Sequence, residues 1–152
     1  MDTKELLRKV PVFHGLTSEE LQSVADIADF RRYSANEVIF GESTGDREMY
    51  VLVKGRVRIE LGIRGKTDCA TVHRVGEGEL FGELALLSRG RRSATAHCET
   101  DSEAIAMSRE ALLDLFDRDN HVGYVVAMNL ASILATRLRK TNLQLVSCFL
   151  WE

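Results

Sequence analysis

Apolar positions change their period twice along the chain. Thr17-Ser18-Glu19-Glu20 leads into Leu21, Val24, Ala25 and Ile27 at helical spacing, which predicts a capped helix with one apolar face ending near Phe30. Beyond it come short strand-like runs at 38–40, 49–53, 57–61, 70–73, 93–98 and 103–107, separated by glycine or polar turns. Regular short strands of that kind predict an all-β barrel or sandwich. The helical period then returns. Ser108 is placed to cap a helix over 109–116, and a longer helix is predicted from about residue 120 to 146. In that last helix Val122, Val126, Leu130, Ile133, Leu134 and Leu138 recur at three and four as one apolar stripe, while Arg137, Arg139, Lys140 and Asn142 make the end polar.

The 152 residues, 45% apolar and 28% charged, match one globular domain with one real core. The net charge of −3 argues against generic nucleic-acid binding, which rests on many lysine and arginine contacts to phosphates. Cys69, Cys98 and Cys148 are odd in number and far apart, which suggests reduced thiols in a cytoplasmic protein. No charged-then-apolar leader opens the chain, so secretion is not expected. Residues 120–136 carry no Asp, Glu, Lys or Arg. That stretch contains Asn, His, Gly and Ser and falls short of the ~20 apolar residues of a membrane span.

Residues 81–96 hold the candidate chemistry. Gly82 lets backbone come close to a ligand, and Glu83-Leu84-Ala85-Leu86-Leu87 are good helix formers, so a short helix is expected to aim its first amides at that spot. Arg91 or Arg92 can neutralise the anion held there, since guanidinium grips phosphate oxygens bidentately. Neighbours on a strand face opposite ways, so one of the pair enters the pocket. Glu83 is out of place beside a phosphate unless it accepts a hydrogen bond from a sugar hydroxyl of the same ligand. Phosphate and ribose together point to a nucleotide.

Phe81, Gly82, Glu83, Leu84, Ala85 and Leu86, followed by Arg92, Ser93, Ala94 and Thr95, resemble the phosphate-binding cassette of the cyclic nucleotide-binding domain family. That module is shared by the catabolite activator protein, protein kinase A regulatory subunits and cyclic nucleotide-gated channels. The resemblance extends over nearly the whole chain, through Leu6 to Phe13 with Leu16-Thr17, Tyr50 to Val57, and Gly78 to Phe81. It implies a mainly β fold with flanking helices: a jelly-roll-like β-roll of about eight strands at 31–107, an N-terminal helical segment at 1–30, and C-terminal lid helices and tail at 108–152. By the same resemblance Glu83 takes the ribose 2'-hydroxyl, Arg92 the cyclic phosphate, and Ser93 with the amides after Gly82 completes the cradle. Val72, Phe81, Leu84, Ala85 and Ala94 line the ligand, and the lid helix touches it around Ile133 to Arg137. Two positions depart from the pattern. Arg91 stands where many members have proline, and Ser43-Thr44-Gly45-Asp46 replaces the usual early Gly-Asp turn with slightly different spacing, which predicts an altered loop.

Other motifs fail on inspection. Gly76-Glu77-Gly78 followed by Gly82 would need a glycine at 81, where Phe81 sits, to be a dinucleotide fingerprint. His14, His73, His97 and His121 have no ligand spacing for zinc and are expected to be ordinary surface or core residues. Neither Ser88 nor Ser93 lies in a nucleophile elbow. The resemblance therefore implies a sensor without catalysis or cofactor, whose ligand is cyclic AMP or cyclic GMP. An apolar lid of Ile133 and Leu134 would favour cyclic AMP, since it need not satisfy guanine's extra polar groups. The expected partners are the nucleotide, an effector protein, and a second copy through the C-terminal helix, with no direct nucleic-acid contact and no membrane insertion. Residues 141–152 are too few for a DNA-binding domain, so a binding module alone is expected, either a piece of something larger or a small protein acting through a partner. The alternative is a degenerate fold serving as a protein scaffold, for which Arg91 and the tail Cys148-Phe149-Leu150-Trp151 are the hints.

Overall fold

The computed structural model describes residues 2–42, 44–45, 47–63, 65–88 and 90–151; Ser43 and Asp46 of the expected early turn, and Arg89 of the cassette loop, lie outside the described residues. Strand alternation builds two cores. In β3 (Glu48–Lys54), Met49, Tyr50, Val51 and Leu52 are all buried, and successive side chains point to opposite faces. Tyr50 and Leu52 join Phe40, Val57, Val75, Phe81, Ala96, Cys98 and Ala106 inside the roll. Met49 and Val51 instead meet the helices, in a second core with Leu7, Phe13, Val24, Leu112, Val122 and Leu130.

One antiparallel sheet runs β1 (Ala28–Tyr33), β8 (Ser102–Ser108), β3, β6 (Leu80–Phe81); the other runs β2 (Val38–Phe40), β7 (Thr95–Cys98), β4 (Val57–Gly62), β5 (Cys69–Val75). Face to face they form the expected roll. The helices are α1 (Thr3–Arg8), α2 (Ser18–Asp26), the single turn α3 (Leu84–Leu87), α4 (Arg109–Arg118) and α5 (Asn120–Leu150). Their caps are built as the sequence suggests: Thr17 and Glu20 form a reciprocal capping box on α2, and Ser108 Oγ accepts from Ala111 N on α4.

Two expectations are corrected. The helix capped by Thr17, α2, ends at Asp26 and not near Phe30, because Ala28 to Tyr33 pair residue by residue with β8, from Ala28 opposite Met107 to Tyr33 opposite Ser102. The stripe on α5 is not single. Val122, Val126 and Leu130 are fully buried and Ile133 and Leu134 pack beside them, yet Leu138 is 61% exposed. Each step of four residues advances about 40° around an α-helix, so two steps beyond Leu130 carry the stripe off the core face. Among the described residues, no helix is long and apolar enough to cross a membrane.

Candidate functional site

A cavity of about 200 Å³ opens where the edge strands β5 and β6 meet α3 and the loop before β7. Phe81, Gly82, Glu83, Leu84, Ala85, Arg92, Ser93, Ala94 and Arg137 all line it. Gly82 makes the turn possible. Its φ is +69°, and a Cβ there would sit 3.0 Å from Arg92 Nη1, 3.1 Å from Phe40 Cε1 and 3.2 Å from Glu48 O, so neither the conformation nor the space admits a side chain comfortably.

Arg92 is buried, and its guanidinium donates to Gly82 O at 3.0 Å and to Glu48 O at 2.5 Å while lying 4.0 Å from the centre of the Phe40 ring. Those contacts aim it. The residue order also settles which arginine turns inward: Arg92 and Ala94 are buried, and Arg91 and Ser93 are exposed at the rim of the cavity. Behind Arg92, Arg31 grips the Glu48 carboxylate with two bonds of 2.7 Å and the Tyr50 hydroxyl donates to it at 2.8 Å. The Arg31 hydrogen bonds, with help from Tyr50 and the charges of Arg31 and Arg92, hold the Glu48 carboxyl below its ordinary range against the opposing pull of burial. A carboxylate therefore balances the buried guanidinium from behind.

Glu83 is the second buried charge. Its Oε1 accepts from Arg137 Nη1 at 2.5 Å, and Arg137 Nη2 donates to Leu80 O at 3.0 Å, so α5 is tied to the wall of the cavity through one side chain. The cradle is narrower than expected. Ala85 N and Leu86 N close the turn onto Gly82 O and Glu83 O, which leaves the Glu83 and Leu84 amides of that turn for an anion. Ser88 Oγ donates to Leu84 O at 3.1 Å.

Two expected residues fall elsewhere. Val72 is 54% exposed and does not line the cavity: Val75 faces the roll interior, His73 follows it at strand parity, and the register shift beside Ile59 leaves Val72 without a cross-strand partner. Ile133, with Leu134, packs on the helical core, so the apolar lid expected over a base is absent from the cavity lining; Arg137 is the part of α5 that reaches it. Sequence reading missed Phe40, Ile59, His73, Leu80 and the rim residue Ser88. The parity of Val75 was the available signal for His73, and that of Val57 for Ile59. Among the described residues, no three His, Cys, Asp or Glu side chains converge as a metal site.

The cyclic nucleotide-binding domain model matches residues 30–119, spanning nearly all of the roll and α4. The cyclic AMP receptor protein of Thermus thermophilus is 38% identical over 135 residues, which are 89% of this chain and 60% of that protein. A CRP-like cAMP-activated global transcriptional regulator of Mycobacterium tuberculosis is 27% identical over 142 residues, 91% of this chain and 59% of the regulator. A crystal structure of the Thermus thermophilus catabolite activator protein superposes with a TM-score of 0.77 at 38% identity, over 89% of this chain and 61% of that one. The chain thus spans about 60% of the length of these relatives. With a roll whose cassette places a buried arginine, a buried glutamate and a positive-φ glycine around one cavity, and with the family model matching over that roll, the chain belongs to the cyclic nucleotide-binding domain family.

Proposed function

We propose that this chain is a non-catalytic receptor module for a purine 3',5'-cyclic nucleotide, with cyclic AMP preferred over cyclic GMP. The observation that carries the reading is the pairing of two buried, oppositely charged side chains, Arg92 and Glu83, on one cavity lined by the cassette. A cyclic phosphate supplies the anion for the Arg92 end and the Ser93 rim, and the ribose 2'-hydroxyl donates to Glu83. The names of the Thermus and Mycobacterium relatives, both of which specify cyclic AMP, support the same ligand for this module.

Signalling runs through Arg137. A hydroxyl arriving at Glu83 shares a carboxylate with the side chain that ties α5 to the site, so ligand binding changes what holds the helix and shifts its population. On its outer side, Tyr124, Met128, Ala131, Ala135, Leu138, Asn142, Leu145 and Phe149 repeat at alternating steps of four and three. The five large apolar members are between 51% and 69% exposed. A heptad seam of that kind with one Asn fits a second copy of the chain. The proposed module contacts nucleotide and not nucleic acid. The rest of the transcriptional regulators' length lies outside what this chain matches.

Isothermal titration with cyclic AMP and cyclic GMP tests the proposal. Binding of both is expected, with cyclic AMP favoured about three- to thirtyfold, or roughly 0.7 to 2 kcal/mol. Chromatography of the ligand after incubation should return it unhydrolysed. A protein that binds neither nucleotide would instead be a scaffold.

A further inference from the structure

The part of the cavity lining that β4 and β5 contribute has one polar side chain, His73. Ile59 on β4 and His73 on β5 stand opposite each other on the edge of the second sheet, and both line the cavity. His73 Nε2 lies 3.2 Å from Glu79 Oε2. An ionised carboxylate can only accept, so a neutral His73 carries its proton on Nε2 and its Nδ1 is an acceptor. In the neutral ring the nitrogen left for a ligand therefore has a defined sense. The guanidinium of Arg137, which also lines the cavity and would favour an acceptor on the ligand, is engaged by Glu83 and Leu80 O.

Purines differ in that sense at position 6. Adenine presents an amino donor, whereas guanine and hypoxanthine present an oxygen acceptor. We propose that His73, held as the Nδ1 acceptor by Glu79, is a specificity-determining residue that accepts from the 6-amino group of adenine and leaves a 6-oxo purine facing an acceptor. This rests on the cyclic nucleotide reading above, and it supplies the base selection that the displaced Ile133 and Leu134 do not. Glu79 acts only through His73 and is a positioning residue.

The test compares three cyclic nucleotides by titration: cyclic AMP, cyclic IMP, which differs at position 6 without the 2-amino group of guanine, and the purine riboside cyclic phosphate, which has no substituent there. The unaltered protein is expected to prefer cyclic AMP over cyclic IMP by about tenfold, the scale of one polar contact. His73→Ala should bring the two within about threefold, and its effect on the purine riboside ligand should be no larger than its effect on cyclic IMP. Glu79→Gln should also narrow the preference, because its amide can donate to Nε2 and release the tautomer. In histidine-labelled protein, nitrogen shifts of the neutral ring should report a protonated Nε2 and a bare Nδ1 at His73, and Glu79→Gln should blur that pattern. A cyclic AMP to cyclic IMP ratio near one in the unaltered protein, or one that survives His73→Ala, would overturn the role of His73 and leave the nucleotide site standing. Failure to bind all three ligands would overturn the nucleotide reading itself.

Discussion

Arg92 and Glu83 are charges that the fold buries, and burial is costly unless each charge has partners. Arg92 meets that cost with two backbone carbonyls and the face of Phe40, Glu83 with Arg137. Because Arg92 is held in place before any anion arrives, little side-chain entropy is lost on binding. Arg92→Ala should therefore weaken cyclic AMP binding at least thirtyfold, within the roughly 2 to 5 kcal/mol lost when a buried charge pair is broken. Arg91→Ala, which removes a charge at the exposed rim, should weaken it only severalfold. Titration of the two variants checks this, and equal losses would mean that the phosphate sits at the rim. The balancing charge behind Arg92 gives a pH signature. The Glu48 carboxyl titrates lower in the folded protein than in the unfolded chain, so its contribution to stability is complete above the ordinary carboxylate range and is lost as pH falls through the depressed folded value. Thermal melts from neutral pH down to about 3 should show a gap between the native protein and Glu48→Gln that closes at the acid end, below the usual carboxylate pKa of about 4. A gap constant over that window would place the value of Glu48 in packing and not in its charge.

Elements with a local cause were legible in the sequence. Thr17 with Glu20, and Ser108, are caps whose hydrogen bonds close within three residues, and the structure forms both. Elements with a distant cause were not. β1 reads as Ala-Asp-Phe-Arg-Arg-Tyr, with no clean alternation, and exists because β8 lies beside it more than sixty residues later in the chain. β6 is two residues long and is drawn out by Tyr50 and Val51. The same limit applied at the site: the cassette residues adjacent in sequence were placed on the cavity, whereas His73, Ile59 and Phe40 come from three different strands and were missed. Strand β5 gives one signal, the parity that runs from Val75 to His73, since the six positions other than Val75 are exposed. The turn into α3 is the element most open to test. Gly82→Ala puts a methyl group against Arg92, Phe40 and Glu48 in a left-handed conformation, which should cost about 1 to 3 kcal/mol of stability. It should lower ligand affinity as well, since Arg92 must give way. A calorimetric melt together with a titration would check both losses, and unchanged affinity with a lowered melting temperature would show that the cradle tolerates the shift.

At the scale of the molecule, α5 is one rod with two different faces. Its inner face fills the helical core through Val122, Val126 and Leu130 and ends at Arg137 on the cavity, and its outer face carries the exposed heptad seam. Arg137 and Leu138 are neighbours in the chain, so a ligand that draws on Glu83 acts one residue from the seam. Isolated Leu, Phe and Tyr side chains on a surface need no explanation, but a continuous row at heptad spacing matches the buried stripe of a two-helix coiled coil. The native chain should sediment as a dimer, and Leu138→Asp with Leu145→Asp should make it a monomer with an intact roll by circular dichroism. Asn142, at one a position of the seam, should fix the pairing, so that Asn142→Leu tightens association but admits other oligomers. Coupling between site and seam is reciprocal: if cyclic AMP changes the dimer dissociation constant by some factor, dimerisation changes cyclic AMP affinity by the same factor. Sedimentation with and without saturating cyclic AMP should therefore give different dissociation constants for the native chain, and Arg137→Ala should abolish the difference while leaving the seam intact. A native dimer indifferent to ligand would mean that the two faces of α5 do not communicate.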